Sequence, residues 1–272
     1  MDKNIITITD ENYASVSLIG TVHVSKTSKE RVINSINNLK PDIVSIELDT
    51  KRLRKLYDKN ADFVTGKQSS SSLFVKLLKK QQKSLLNHDE LLKSGNADMM
   101  PAINTAKDNK CKIALIDVSI KELKDDIKSN MYENGKINLE LINQSSDEVL
   151  DNLKKLLSHQ KEINKFIDYK NSKKGIVDYI ELMEQRPPNE IQDNFEPLKN
   201  ILPEVYTAFI TERDKNMAGQ IHWLRRNNNS VVSVMGKGHL NGVKYYLENI
   251  DKLPDKYIKE PEWYQYHKIN IK

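Results

Sequence analysis

The chain has 272 residues and a modest formal charge of +5, with 30% of its residues charged and a mean hydropathy of −0.64. That length can bury a sizeable core, and no apolar run approaches the ~20 residues of a membrane span. The polar start Met1 to Asn4 lacks a secretory apolar region, and the single cysteine, Cys111, excludes an internal disulfide and fits a reducing, cytoplasmic setting. Lysines such as Lys76, Lys79, Lys80 and Lys83 read as a solvated helix face, so a nucleic-acid partner is not expected.

Asn4 to Thr9 and Ser15 to Ile19 read as two strands around the turn Asp10-Glu11-Asn12. A helix follows from Lys26 to Lys40, with Ser25 as its cap, Val32, Ile36 and Leu39 as its buried stripe, and Pro41 as its stop. Asp42 to Leu48 is almost continuously apolar apart from Ser45 and Glu47, the pattern of a parallel strand buried on both faces. Strand, helix and strand make a right-handed βαβ unit. Asp49 to Tyr57 is helical, Asn60 to Ser72 is a polar loop, and Leu73 to Leu86 and Ala97 to Lys107 are helices. Lys112 to Asp117 is a third buried-type strand. Helices then run through Lys121 to Tyr132, Asp147 to Tyr169, Ile176 to Gln185 and Pro203 to Arg226, with Arg186-Pro187-Pro188-Asn189 expected to be non-helical. The stretch 121–200 reads as a helical insertion or lid. Val231 to Met235 is the fourth strand, and Leu240 to Ile250 is the closing helix. The tail 251–272 is aromatic, with Trp263, Tyr264 and Tyr266, and packs on the body or on a second subunit, which leaves a homodimer open.

Two strand exits share one pattern. Gly20-Thr21-Val22-His23 and Gly236-Lys237-Gly238-His239 each follow an apolar strand with glycine and place histidine three residues later. In open α/β sheets such exits face the ligand crevice. Glu47 and Asp117 close the other two strands, so four strand-end side chains, His23, Glu47, Asp117 and His239, are expected on one edge. A carboxylate inside a buried strand needs a partner, and either a metal or an arginine such as Arg52 or Arg54 can supply it. Two imidazoles and a carboxylate can hold a divalent metal, manganese, cobalt or zinc, with His23, Glu47 and His239 as ligands. Metal-bound water is then a nucleophile. Without a metal, a histidine held by a carboxylate can act as general base.

Arg213, with Glu212 beside it, falls on the core-facing stripe Tyr206, Ile210, Met217, Ile221 and Leu224, where charges need partners. Arg52, Arg213 or Lys237 can bind an oxyanion or a substrate carboxylate. Gly20, Thr21, Lys237, Gly238 and Asp117, at the strand exits, are assigned to substrate contact.

In order along the chain, GTVHVSKTS, PDIVSIELDTKRL, ALIDVSI, TERDKNMA and VMGKGHLNGV resemble the TraB/PrgY family, itself similar to the Tiki proteases, the erythromycin esterases and the ChaN-like proteins. The resemblance implies a single α/β domain with a mixed, mainly parallel sheet flanked by helices. It implies a functional core of His23, Glu47 and His239, supported by Arg52, Glu212 and Arg213. It also implies a hydrolase acting on a peptide or another amide or ester, metal-dependent as in the Tiki-like relatives or metal-free as in the esterases. The alternative is a non-catalytic protein that sequesters a peptide pheromone. Where many relatives read Ile-Asp-Arg, this sequence has Asp117-Val118. The membrane-spanning region of many prokaryotic relatives has no counterpart here, so no membrane span is carried over.

Overall fold

The computed structural model describes residues 2–23, 25–57, 98–119, 121–122, 173–193, 199, 203–227 and 229–264. The polar loop after Tyr57, the helices expected at 73–86 and 147–169, most of the 121–200 insertion and the end of the tail lie outside the described residues. Strand β1 (Ile5–Asp10) and strand β2 (Tyr13–Thr21) pair as the expected antiparallel hairpin. Helix α1 (Lys26–Leu39) starts at Ser25, whose side chain accepts from the Ser28 N–H, and ends at Lys40 in the left-handed conformation. Strand β3 (Ile43–Ile46), helix α2 (Thr50–Tyr57), helix α3 (Met99–Asp108) and strand β4 (Lys112–Leu115) follow. Helices α4 (Lys173–Gln185) and α5 (Pro188–Asp193) come next.

Helix α6 contains Pro203–Tyr206, one π-helical turn at Thr207–Thr211, and Glu212–Arg225. Strand β5 (Val231–Gly236) leads through a 3₁₀ turn, Lys237–His239, into α7 (Leu240–Glu248). A short strand, β6 (Glu262–Trp263), ends the described chain.

The six strands lie in the order β1-β2-β5-β3-β4-β6. The four inner strands are parallel, and each edge strand is antiparallel to its neighbour. The sheet is therefore mixed and mainly parallel, as expected. Alternation along each strand divides the core in two. Leu18, Val231 and Met235 pack with Met217, Ile221 and Leu224 of α6. Ile19, Val232 and Val234 pack with Val32 and Ile36 of α1 and Ile103 of α3. Ser45 and Ser233, the polar interruptions of β3 and β5, face each other at 2.5 Å between Oγ atoms, so each satisfies the other in the buried sheet.

Two sequence expectations are corrected, and for the tail one of its two expected positions is seen. Leu39 is 50% exposed because it sits in the last turn of α1, where the chain turns away through Lys40. Pro188 is helical after all, since it occupies the first position of α5, where a missing N–H removes no hydrogen bond. The tail packs on the body: β6 pairs with β4, and Tyr257 joins the core beside α6.

Candidate active site

The crossover order puts β5 between β2 and β3, so three strand exits lie side by side. At the first, Gly20 ends the close-packed part of β2, and a Cβ there would overlap the side chain of Leu240. The chain leaves through Thr21 and Val22 to His23. The His23 ring is about half exposed, yet its Nδ1 lies 2.7 Å from Oδ2 of Asp98, whose side chain is 1% exposed. Asp98 is fixed on every side. Its Oδ1 accepts from the Met99 N–H at 2.8 Å, capping α3, and its Oδ2 also accepts from the Thr21 hydroxyl at 2.5 Å. The Asp98 charge, opposed by burial and helped by Glu47, raises the His23 pKa to about 9. With Nδ1 held, Nε2 lies beside Gly236.

Glu47 follows β3 and is buried. Its Oε2 accepts from the Gly236 N–H at 2.6 Å, and its Oε1 pairs with Nη2 of Arg213. A Cβ on Gly236 would lie 3.3 Å from both Glu47 Oε2 and His23 Nε2. The two groups therefore both lie close to Gly236, where a side chain would crowd them. Burial opposes ionisation of Glu47, but the neighbouring Arg213 charge outweighs it and holds the pKa at about 2.

Arg213 is the hub. Its Nε and Nη2 donate to Asp117 at 2.9 and 2.6 Å, while Nη1 lies 3.0 Å from His239 Nε2. Arg52 joins the same carboxylate, donating to Asp117 at 2.6 Å through Nη2 and to Asp49 at 2.6 Å through Nε. Despite its burial, Asp117 is held far below the usual carboxylate range by Arg213 and Arg52. The cation paired with Glu47 thus comes from α6, and Arg52, from the helix after β3, serves Asp117. The π-helical turn at Thr207–Thr211 ends two residues before Arg213.

His239 Nδ1 lies 2.6 Å from Oδ1 of buried Asp214. A guanidinium can only donate, so Nε2 of His239 accepts from Arg213 and Nδ1 carries the proton toward Asp214. His239 Nε2 is 3.6 Å from Glu47 Oε1.

A metal shared by His23, Glu47 and His239 would have to displace Arg213. Each Glu47 oxygen accepts one N–H, and the His239 Nε2 lone pair faces Arg213. Among the described residues no group of three His, Cys, Asp or Glu side chains is placed to hold a metal ion.

The family model for the TraB/PrgY/gumN family matches residues 4–253. The chain belongs to that family. It is 30% identical over 249 residues to the uncharacterized protein MJ1365 of Methanocaldococcus jannaschii, a match covering 88% of this chain and 55% of that protein. It therefore spans about half the length of that relative. Among the described residues no helix is long and apolar enough to cross a membrane.

In this TraB/PrgY/gumN chain, His23, Glu47, Asp117, Arg213 and His239 come together, and Arg52 joins them through Asp117. Gly20 and Thr21 act as close-packing and Asp98-supporting residues at the β2 exit. Gly238 lies in the turn between Lys237 and His239. Two further residues are directed elsewhere. The buried Lys237 donates at 2.9 Å to the carbonyl oxygens of both Met183 and Glu184 near the end of α4, and burial lowers its pKa to about 8. Glu212 pairs with Lys215 at 2.8 Å and accepts from Tyr257.

Asp98 and Asp214, which orient the two imidazoles, escaped the sequence reading. Asp98 carried a signal, since an aspartate three residues before Pro101 at the head of a helix is a cap. Asp214 carried one too. It falls between Ile210 and Met217 at helical spacing, on the very stripe assigned to the core.

Proposed function

We propose that this chain is a metal-independent hydrolase of a peptide or another amide or ester, with His23 as the proton carrier. One observation carries the reading. A half-exposed imidazole is pinned through Nδ1 to a buried carboxylate while its Nε2 lies beside Gly236, next to Glu47. Such a dyad fixes tautomer and direction, the two requirements of a general base.

In the proposed reaction, neutral His23 Nε2 takes a proton from water as the water oxygen bonds to the substrate's carbonyl carbon. The π electrons of the C=O move onto its oxygen. Ionised Glu47 and Asp98 stabilise the imidazolium that forms. Collapse of the tetrahedral species re-forms C=O and breaks the C–N or C–O bond. His23 then returns the proton to the leaving nitrogen or oxygen, so water is added overall. Arg52, 28% exposed, is the cation offered to the substrate's oxyanion or carboxylate. Arg213 stays with Glu47 and Asp117 and keeps both ionised.

The test is turnover of a panel of peptides, anilides and esters by the wild type and by His23→Ala, with and without chelator. Cleavage lost in the variant and indifferent to chelator supports the reading. Tight peptide binding with no cleavage points instead to sequestration.

A further inference from the structure

Asp214 has a second oxygen that the His239 contact does not use. Oδ1 faces His239 Nδ1, while Oδ2 has no hydrogen-bond partner among the described residues. The Asp214 side chain is 97% buried, being 3% exposed. Among the described residues the fully buried side-chain polar atoms without a partner are Asn4 Oδ1 and Arg225 Nη1, so Asp214 Oδ2 is open to solvent. Asp214 lies in the wall of a cavity of about 260 Å³. Gln192, Tyr206, Thr211, Tyr245 and Tyr246 complete most of that wall. Gly242 lines it too, and a Cβ there would overlap Asp214 Oδ2, so glycine leaves room for the carboxylate. The π-helical turn supplies Thr211 to the cavity directly after Tyr206.

Three phenol rings around one free carboxylate oxygen form a recognisable donor set. Aromatic faces attract ammonium groups. Burial raises the Asp214 pKa, and an ammonium group beside it favours the ionised form, which then accepts a charge-assisted hydrogen bond. Chain lysines already cover one face of two of these rings: Lys199 Nζ sits 5.7 Å from the Tyr206 ring centre and Lys252 Nζ 5.2 Å from that of Tyr245. Tyr245 and Tyr246 stand edge to face with centroids 5.2 Å apart, which stiffens that side of the wall.

We propose that this cavity is a binding site for a small primary ammonium compound, held by the Asp214 carboxylate and by contact with Tyr206, Tyr245 and Tyr246 in the cavity wall. It is separate from the space between His23 and Glu47, and it does not depend on the hydrolase reading. A ligand there touches the carboxylate that orients His239, so occupancy is felt at the candidate active site.

The experiment titrates the full chain with n-propylammonium and, in parallel, with neutral 1-propanol of the same size, followed by calorimetry and by the His239 imidazole resonances. n-Propylammonium should bind, 1-propanol should not, and the His239 signals should move with saturation. Asp214→Asn should weaken binding by about tenfold or more, as expected when an ionic acceptor becomes neutral. Tyr245→Ala should weaken it about threefold to tenfold, while Tyr245→Phe retains it. Tyr245 is 46% exposed, so that pair reports on the site even where Asp214→Asn fails to fold. Equal binding of the alcohol, no binding of the amine, or affinity unchanged by both Asp214→Asn and Tyr245→Ala would each overturn the proposal.

Discussion

Replacing Arg213 with methionine removes the one cation that Glu47 and Asp117 share. Glu47 then keeps the Gly236 N–H, and Asp117 keeps Arg52 and the Val118 N–H. Breaking a buried pair by removing one partner costs ~3–5 kcal/mol, and the remaining donors put Arg213→Met near the lower end, about 3 kcal/mol at pH 7. For a chain of this size that corresponds to a fall in Tm of roughly 6–12 °C. The pH dependence is the sharper test. Glu47 has a folded pKa of about 2, below its ordinary value of 4.5, and Asp117 is lowered in the same sense. Both contribute stability that is present above the unfolded pKa and lost as pH falls through the folded one. The gap between wild type and Arg213→Met is therefore full above about pH 5 and narrows on acidification toward the folded pKa of about 2. The assay is urea unfolding followed by circular dichroism at about pH 7 and pH 3.5. Adding Glu47→Gln to Arg213→Met should recover part of the loss, because the uncompensated charge is gone. A cost at neutral pH under about 1 kcal/mol, or one that is the same at both pH values, would refute this reading of the hub.

Asp98→Asn removes the largest cause of the raised His23 pKa, so the His23 titration should move from about 9 toward 6.5, read from imidazole resonances. Since the folded value is the higher one, the His23–Asp98 pair stabilises the wild type below the unfolded pKa, and that contribution fades as pH rises through about 9; Asp98→Asn should lack this alkaline loss. Gly236→Ala places a methyl 3.3 Å from both His23 Nε2 and Glu47 Oε2, so turnover should fall by tenfold or more, on the order of the cost of a misplaced reacting group, with the unfolding transition nearly unchanged. Lys237→Met removes two hydrogen bonds to the end of α4, and hydrogen exchange across residues 173–193 should speed up while β5 stays protected.

The parallel core of the fold was legible because β3, β4 and β5 are apolar on both faces and end in distinctive residues. The hairpin and α1 were legible from Asp10-Glu11-Asn12, Ser25 and Pro41. Strand β6 was not: it spans two residues, too few for any periodicity. Pro188 misled because two adjacent prolines read as a break, although the second can open a helix. At the site, the strand-end rule brought His23, Glu47, Asp117 and His239 together without a structure. Which cation answers Glu47 could not be read, since Arg52 is near in sequence while Arg213 arrives from the other end of the chain. Asp98 and Asp214 were hidden for a similar reason. Their importance lies in the ring nitrogen each one touches, and a sequence records no such contact.

The pH dependence of kcat/KM tests the central claim most directly, measured on whichever member of the peptide, anilide and ester panel the wild type cleaves. The account predicts a rate that rises with pH to an inflection near 9, the His23 value, because the neutral imidazole is the active form. Asp98→Asn should move that inflection downward and lower the plateau, His23→Ala should abolish turnover, and chelator should change nothing. A profile flat across the His23 titration, turnover that survives His23→Ala, activity lost to chelator and restored by manganese or zinc, or no cleavage of any panel member would contradict it.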